Sequence, residues 1–151
     1  MRPTAEPVRA ALLDELAKDV KGARVLDLFA GTGALGLEAV SRGAKSADFV
    51  EFRPDSLHAL RANVAALGLQ KTTRIFKKDA VPFVAALSEH AYDLAFADPP
   101  YESKVIDRIM DAWKTVKFAR VLVVEHAAAT ELPRGDRVLT FADTRITIYR
   151  G

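Results

Sequence analysis

Cysteine is absent from the 151 residues, which excludes disulfide staples and thiolate metal sites. No apolar run approaches the ~20 residues that a membrane span requires. The opening Met1-Arg2-Pro3-Thr4-Ala5-Glu6 holds no hydrophobic signal core. Histidine is scarce, and His58, His90 and His126 show no zinc-ligand spacing, so no metal is expected. Neither sign of charge dominates: the formal net charge is +2 and the pI is about 9.0. Such mild basicity points only weakly to a nucleic-acid partner. The basic residues do cluster, with Arg2, Arg9, Lys18, Lys21 and Arg24 near the start and Lys71, Arg74, Lys77 and Lys78 further on. What is present suffices for one domain, 1–151, with a full core, since 50% of the residues are hydrophobic. These features together predict a cytoplasmic monomer that touches no membrane.

Apolar periodicity alternates between the two regular types along the chain. A helix is expected over 5–20, with Pro7 in its first turn and Val8, Leu12, Leu13 and Leu16 on one side. Strands are expected at Arg24–Phe29, Ala47–Phe52, Thr72–Phe76, Tyr92–Ala97 and Arg120–Glu125. Between them lie helices running from the glycine turn to about Arg42, over Pro54–Leu67, from the Asp79 cap to about Ser88, and over Glu102–Lys114. Gly68 closes the second of these. Two further strands, Arg137–Phe141 and Arg145–Tyr149, end the chain around a short polar turn. Alternation of this kind predicts an α/β fold: a mostly parallel, Rossmann-like sheet of seven strands, covered on both faces, with the final pair as an antiparallel edge.

The first strand runs into Asp27-Leu28-Phe29-Ala30-Gly31-Thr32-Gly33-Ala34-Leu35-Gly36. Gly31, Gly33 and Gly36 fit a G-x-G-x-x-G turn, in which the backbone approaches a ligand closely and a helix start presents free N–H groups. Asp27, four residues before Gly31, suits a pyrophosphate poorly because like charges repel. It suits S-adenosylmethionine, which carries an ammonium and a sulfonium and no phosphate. The competing reading is a carboxylate that caps its own loop. Glu51, with Phe52 beside it, ends the second strand, where an acid accepts from ribose hydroxyls. Asp79, next to Ala80, either accepts from the adenine amino group or serves as an ordinary N-cap.

Asp98-Pro99-Pro100-Tyr101 follows the fourth strand, at the sheet end where open α/β folds bind ligands. Two prolines fix φ and remove two donors, leaving rigid carbonyls beside a carboxylate and an aromatic ring. A planar base amino group fits such a turn. Asp98 and a proline carbonyl accept its two N–H bonds, and Tyr101 stacks on the ring. The transfer then needs mainly placement and alignment. No serine–histidine pair is evident.

The glycine loop, Phe49-Val50-Glu51 and Asp98-Pro99-Pro100-Tyr101 together resemble the RsmD-type RNA methyltransferases. Arg2-Pro3-Thr4 with Val8-Arg9, Val124-Glu125-His126 and the closing strand pair extend the resemblance over nearly the whole chain. It implies a class I methyltransferase that uses S-adenosylmethionine to methylate a guanine N2 in small-subunit ribosomal RNA, naked or in an assembly particle. It implies that Asp27, Gly31, Gly33, Glu51, Phe52, Asp79 and Ala80 contact the cofactor. Asp98, Pro99, Pro100 and Tyr101 would hold the guanine, and Arg2, Thr4 and Arg9 would lie near the cofactor and the RNA entrance. Members of that family usually carry a basic N-terminal hairpin before the Arg-Pro-Thr motif, and this sequence starts at the motif. Arg53 stands where an Asp or Asn is common.

Four other readings compete. Asp-Pro-Pro-Tyr also occurs in adenine N6-methyltransferases. Methylation of a protein amide more usually has an Asn-led turn. A nicotinamide oxidoreductase explains the glycines and Glu51 but neither Asp27 nor the Asp98 turn. A non-catalytic RNA-binding module would retain the fold alone.

Overall fold

The computed structural model describes residues 5–100 and 104–151. Its elements are α1 (Glu6–Glu15), α2 (Ala17–Val20), β1 (Arg24–Leu28), α3 (Ala34–Ser41), β2 (Ser46–Val50), α4 (Pro54–Leu67), β3 (Thr73–Phe76), α5 (Ala80–Ala85), β4 (Tyr92–Ala97), α6 (Val105–Thr115), β5 (Ala119–Ala127), β6 (Arg137–Phe141) and β7 (Thr144–Arg150). One seven-stranded sheet runs in the order β3-β2-β1-β4-β5-β7-β6. The first five strands are parallel, and β7 joins β5 and β6 antiparallel. The α/β class, the mixed sheet and the antiparallel end agree with the sequence reading. Among the described residues, no helix is long and apolar enough to cross a membrane.

Alternating side chains feed two cores. Val25, Phe49, Phe96 and Val123 pack with Leu12 and Leu13 of α1, Leu16 just after it, Leu37 of α3 and Leu60 and Val64 of α4. Leu26, Leu28, Ala95 and Leu122 face the opposite way, toward Val84 of α5 and Ile106, Ile109 and Trp113 of α6. Both faces of the central parallel strands are therefore dry, and ligands are left the C-terminal edge of the sheet.

Three helix boundaries differ from expectation. The single helix expected over 5–20 breaks at Leu16, whose φ of −96° and ψ of 14° end α1. Leu16 and Val20 are both fully buried, so each segment turns its own apolar side to the sheet. Instead of reaching Ser88, α5 stops at Ala85, because the Ala86 and Leu87 N–H groups bond back only three residues, to Phe83 and Val84. The last helix starts at Val105 rather than Glu102, and residue 102 lies outside the described residues.

Candidate active site

Asp27 lies near the C-terminal end of β1 and faces the α1 side of the sheet. It stands in register with Phe96 of β4, which pairs with Val123 of β5. The carboxyl is buried, and its Oδ2 accepts from the Gly36 N–H at 3.1 Å. Burial pushes it up to about 8; the Gly36 hydrogen bond works against that rise, and the Glu51 carboxylate adds to it. The capping role and a ligand-facing position therefore coexist in one side chain.

The glycine turn takes its shape from close packing. Gly31 and Gly33 sit at φ 58° and 80°, the left-handed region. A Cβ on Gly33 would strike Leu60. A Cβ on Gly36 would fall 2.6 Å from Phe49 Cε1 and 3.0 Å from Asp27 Oδ2. Glu51 is buried, and its carboxylate ties the turn to the end of β2. Oε1 accepts from the Gly31 N–H at 2.9 Å, and Oε2 accepts from the Phe52 and Arg53 N–H groups, each at 3.0 Å.

A cleft of about 780 Å³, its open mouth included, lies above this turn. Phe29, Ala30, Gly31, Thr32 and Leu35 form one wall, Phe96, Val123 and Ile146 the floor, and Arg9 and Leu12 of α1 the far side. Three acidic residues line the cleft, Asp27, Asp98 and Glu125, together with the cation Arg9. Arg9 is anchored through its Nε, which donates to Glu38 Oε1 on α3 at 2.9 Å. Glu38 Oε2 also holds Arg42, which in turn bonds Asp14. That chain of ion pairs fixes α1 against α3.

The expected site residues thus divide. Asp27, Gly31, Asp98 and Arg9 meet in the cleft. Glu51 and Phe52 stand at the adjoining end of β2, with Phe52 54% exposed. Gly33 is packed beneath the turn. Asp79 caps α5 by accepting from the Val81 N–H at 3.4 Å, and the Ala80 side chain is buried in the second core. Pro99 is buried and Pro100 exposed. Arg2, Thr4 and Tyr101 lie outside the described residues. Three members of the basic clusters are in ion pairs: Arg9 with Glu38, Arg24 with Asp93, and Arg74 with the buried Asp48, which also accepts from the Tyr92 hydroxyl at 2.6 Å. Sequence reasoning gave no role to Glu125, Ser56 or Leu35, all of which line the cleft. For Glu125 the signal was there, an acid closing the apolar run Val121-Leu122-Val123-Val124 beside Asp98.

Known proteins carry the same plan. The candidate rRNA methyltransferase YlbH of Bacillus subtilis is 33% identical over 99% of this chain and 87% of its own length. Ribosomal RNA small subunit methyltransferase D of Escherichia coli is 34% identical over 74% of this chain, a match that spans 55% of that protein. A solved structure of the candidate methyltransferase yhhF from Escherichia coli superposes with a TM-score of 0.85 at 28% identity, covering 99% of this chain and 87% of that one. The family described as Conserved hypothetical protein 95 matches residues 1–147, and the chain belongs to it, the RsmD-type family that its motifs resemble.

Proposed function

We propose that this protein is an S-adenosylmethionine-dependent RNA methyltransferase, and that it methylates the exocyclic N2 of a guanine in small-subunit ribosomal RNA. One observation carries the reading: the Asp27–glycine turn and the Asp98 turn open onto a single cleft at the C-terminal edge of the sheet. The names of the relatives support the reaction class and the ribosomal RNA.

The residues present fit the cofactor. A buried carboxyl pushed up to about 8 is a site short of a positive partner. The ammonium of the ligand would supply one, whereas a pyrophosphate would worsen the strain. S-adenosylmethionine, when bound, supplies a methyl group already activated on a sulfonium. Asp27 would take its ammonium. Gly31 and Gly33 would let the backbone come close. Glu51 uses three backbone N–H bonds, which leaves acceptor capacity on Oε1 for a ribose hydroxyl. Phe52 would lie against the adenine, with Asp79 and Ala80 at its edge.

The base would lie over β4. Asp98 and the Pro99 carbonyl would accept from the exocyclic amino group, and Pro100 and Tyr101 would border the ring. Fixing both N–H bonds directs the nitrogen lone pair toward the methyl donor, and such alignment is the main requirement of an in-line transfer. Phe96 and Val123 exclude water from the floor. Arg9, with Arg2 and Thr4, would stand at the RNA entrance.

Labelled methyl transfer to naked ribosomal RNA, small-subunit particles, DNA and protein, followed by nucleoside analysis, tests the reading. N2-methylguanosine is expected. N6-methyladenine, or no product from any substrate, would overturn it. Asp98→Ala should abolish transfer and leave S-adenosylhomocysteine affinity nearly unchanged.

A further inference from the structure

Glu125 lines the cleft, yet nothing in the reaction as described above uses it. Its place follows from strand register. Ala97 pairs with Val124, so Asp98 and Glu125 emerge side by side from adjacent strands. Glu125 also pairs with Ile146, a cleft-floor residue packed on the α1 side. Both residues therefore serve the same half of the cleft, on neighbouring strands whose backbones lie about 4.8 Å apart. Across the sheet the order is β1, β4, β5. The glycine turn comes first, Asp98 next, and Glu125 lies furthest from the turn.

We propose that Glu125 is a specificity-determining residue that accepts the N1–H of the target guanine while Asp98 holds its N2 amino group. This rests on the proposed guanine methylation. Along that edge a guanine presents the amino donor, then the N1–H donor, then the O6 acceptor. Two neighbouring carboxylates match the two donors, and Arg9, reaching the same cleft from α1, has the donor type that O6 requires. An adenine would instead turn its N1 lone pair toward Glu125. A hydrogen-bonding site left facing the wrong partner rejects a substrate far more strongly than an apolar pocket rejects one that lacks a methylene. On the opposite face, His126 fixes this strand. Its Nδ1–H donates to the Ala127 carbonyl at 3.0 Å, and its Nε2 accepts from the Thr147 hydroxyl at 2.7 Å. The register that presents Glu125 is thereby locked to β7.

The test uses an RNA fragment spanning the guanine that the unsubstituted protein methylates, prepared with guanine or 2-aminopurine at that position. Both bases keep the 2-amino group, but 2-aminopurine has an acceptor at N1 and no O6, so the N1 contact is read from how Glu125→Gln changes the preference. The unsubstituted protein should prefer guanine by roughly 100-fold or more, within the range that hydrogen-bonding sites achieve. Glu125→Gln, whose amide can donate to N1, should cut that preference at least tenfold. S-adenosylhomocysteine affinity should stay within about twofold. An unchanged preference would overturn the proposal, as would a parallel fall in S-adenosylhomocysteine affinity, which would move Glu125 to the cofactor. Absence of guanine methylation by the unsubstituted protein would refute the underlying function, and this assignment with it.

Discussion

Asp27→Asn should strengthen the ligand-free fold while weakening the cofactor site. The native carboxyl titrates at about 8, against 3.8 for the ordinary group. Between those values the native state keeps a proton that the unfolded chain has released. Stability therefore falls as pH rises through this interval, and the loss is complete above about pH 8. At 1.36 kcal/mol per tenfold, the interval corresponds to on the order of 5 kcal/mol, an upper bound because water and small movements relax a buried charge. Asparagine keeps an oxygen for the Gly36 N–H and carries no charge at any pH. Urea unfolding of both proteins from pH 5 to pH 9 measures the difference. The asparagine variant should gain a few kcal/mol on the parent as pH rises, levelling off above about 8. S-adenosylhomocysteine should narrow that gap, because its ammonium stabilises only the carboxylate. Calorimetry should show the variant binding it weaker by about 1.5–3 kcal/mol, the scale of a hydrogen bond to a charged group. A stability difference that does not change with pH, or equal ligand affinity, would refute the assignment of Asp27 as the buried acid that meets the cofactor.

Glu51→Ala removes the acceptor for three backbone N–H groups and should weaken S-adenosylhomocysteine binding by about 1.5–3 kcal/mol, read by calorimetry; Glu51→Gln, keeping one oxygen, should lose less. In Gly36→Ala the new methyl falls against Phe49 and the Asp27 carboxylate, and overpacking of about 1–3 kcal/mol outweighs the gain in helix propensity of about 1; the melting temperature should drop by a few degrees. His126 is held neutral, its pKa lowered chiefly by burial, so its contribution is present above about pH 6.5 and is lost as the pH falls through the lowered value. His126→Gln should therefore lose less stability than the parent on acidification from pH 7 to pH 5, followed by urea midpoints.

The sheet was legible because burial follows short-range pattern. Each parallel strand except β3 shows a short apolar run closed by glycine, proline or an acid. The terminal pair shows why one detail was not read. Which strand of a hairpin docks on the sheet is not set by the turn. Yet β7 buries both its faces from Thr144 through Tyr149 except Arg145, while no residue of β6 is buried. The strand with apolar positions on both sides is the inner one. The break at Leu16 had no comparable signal, since every residue from Leu12 to Val20 is compatible with a continuous helix.

Side-chain pairing was less legible, because its partners are distant in sequence. Glu51 reads as a ribose acceptor from its place after β2, but its bond to Gly31 spans 20 residues. Arg9 reads as an RNA contact, but its anchor Glu38 is 29 residues away. Arg74 reads as part of a basic patch, but Asp48 fixes it 26 residues away. What local sequence does hold is a recurrence that single motifs obscure. An acid stands within three residues of the C-terminal end of every parallel strand: Asp27, Glu51, Asp79, Asp98 and Glu125. Three of them line the cleft. In a phosphate-binding fold this rim presents N–H groups and cations to an anion. Here the rim offers acceptors, which suit ligands rich in donors and positive charge. On the proposed reading, an ammonium at Asp27, ribose hydroxyls at Glu51, an amino group at Asp98 and a ring N–H at Glu125 would be one chemical preference expressed at successive strands. Exchanging any one acid for its amide should impair the ligand group it faces, and leave the groups facing the other acids in place.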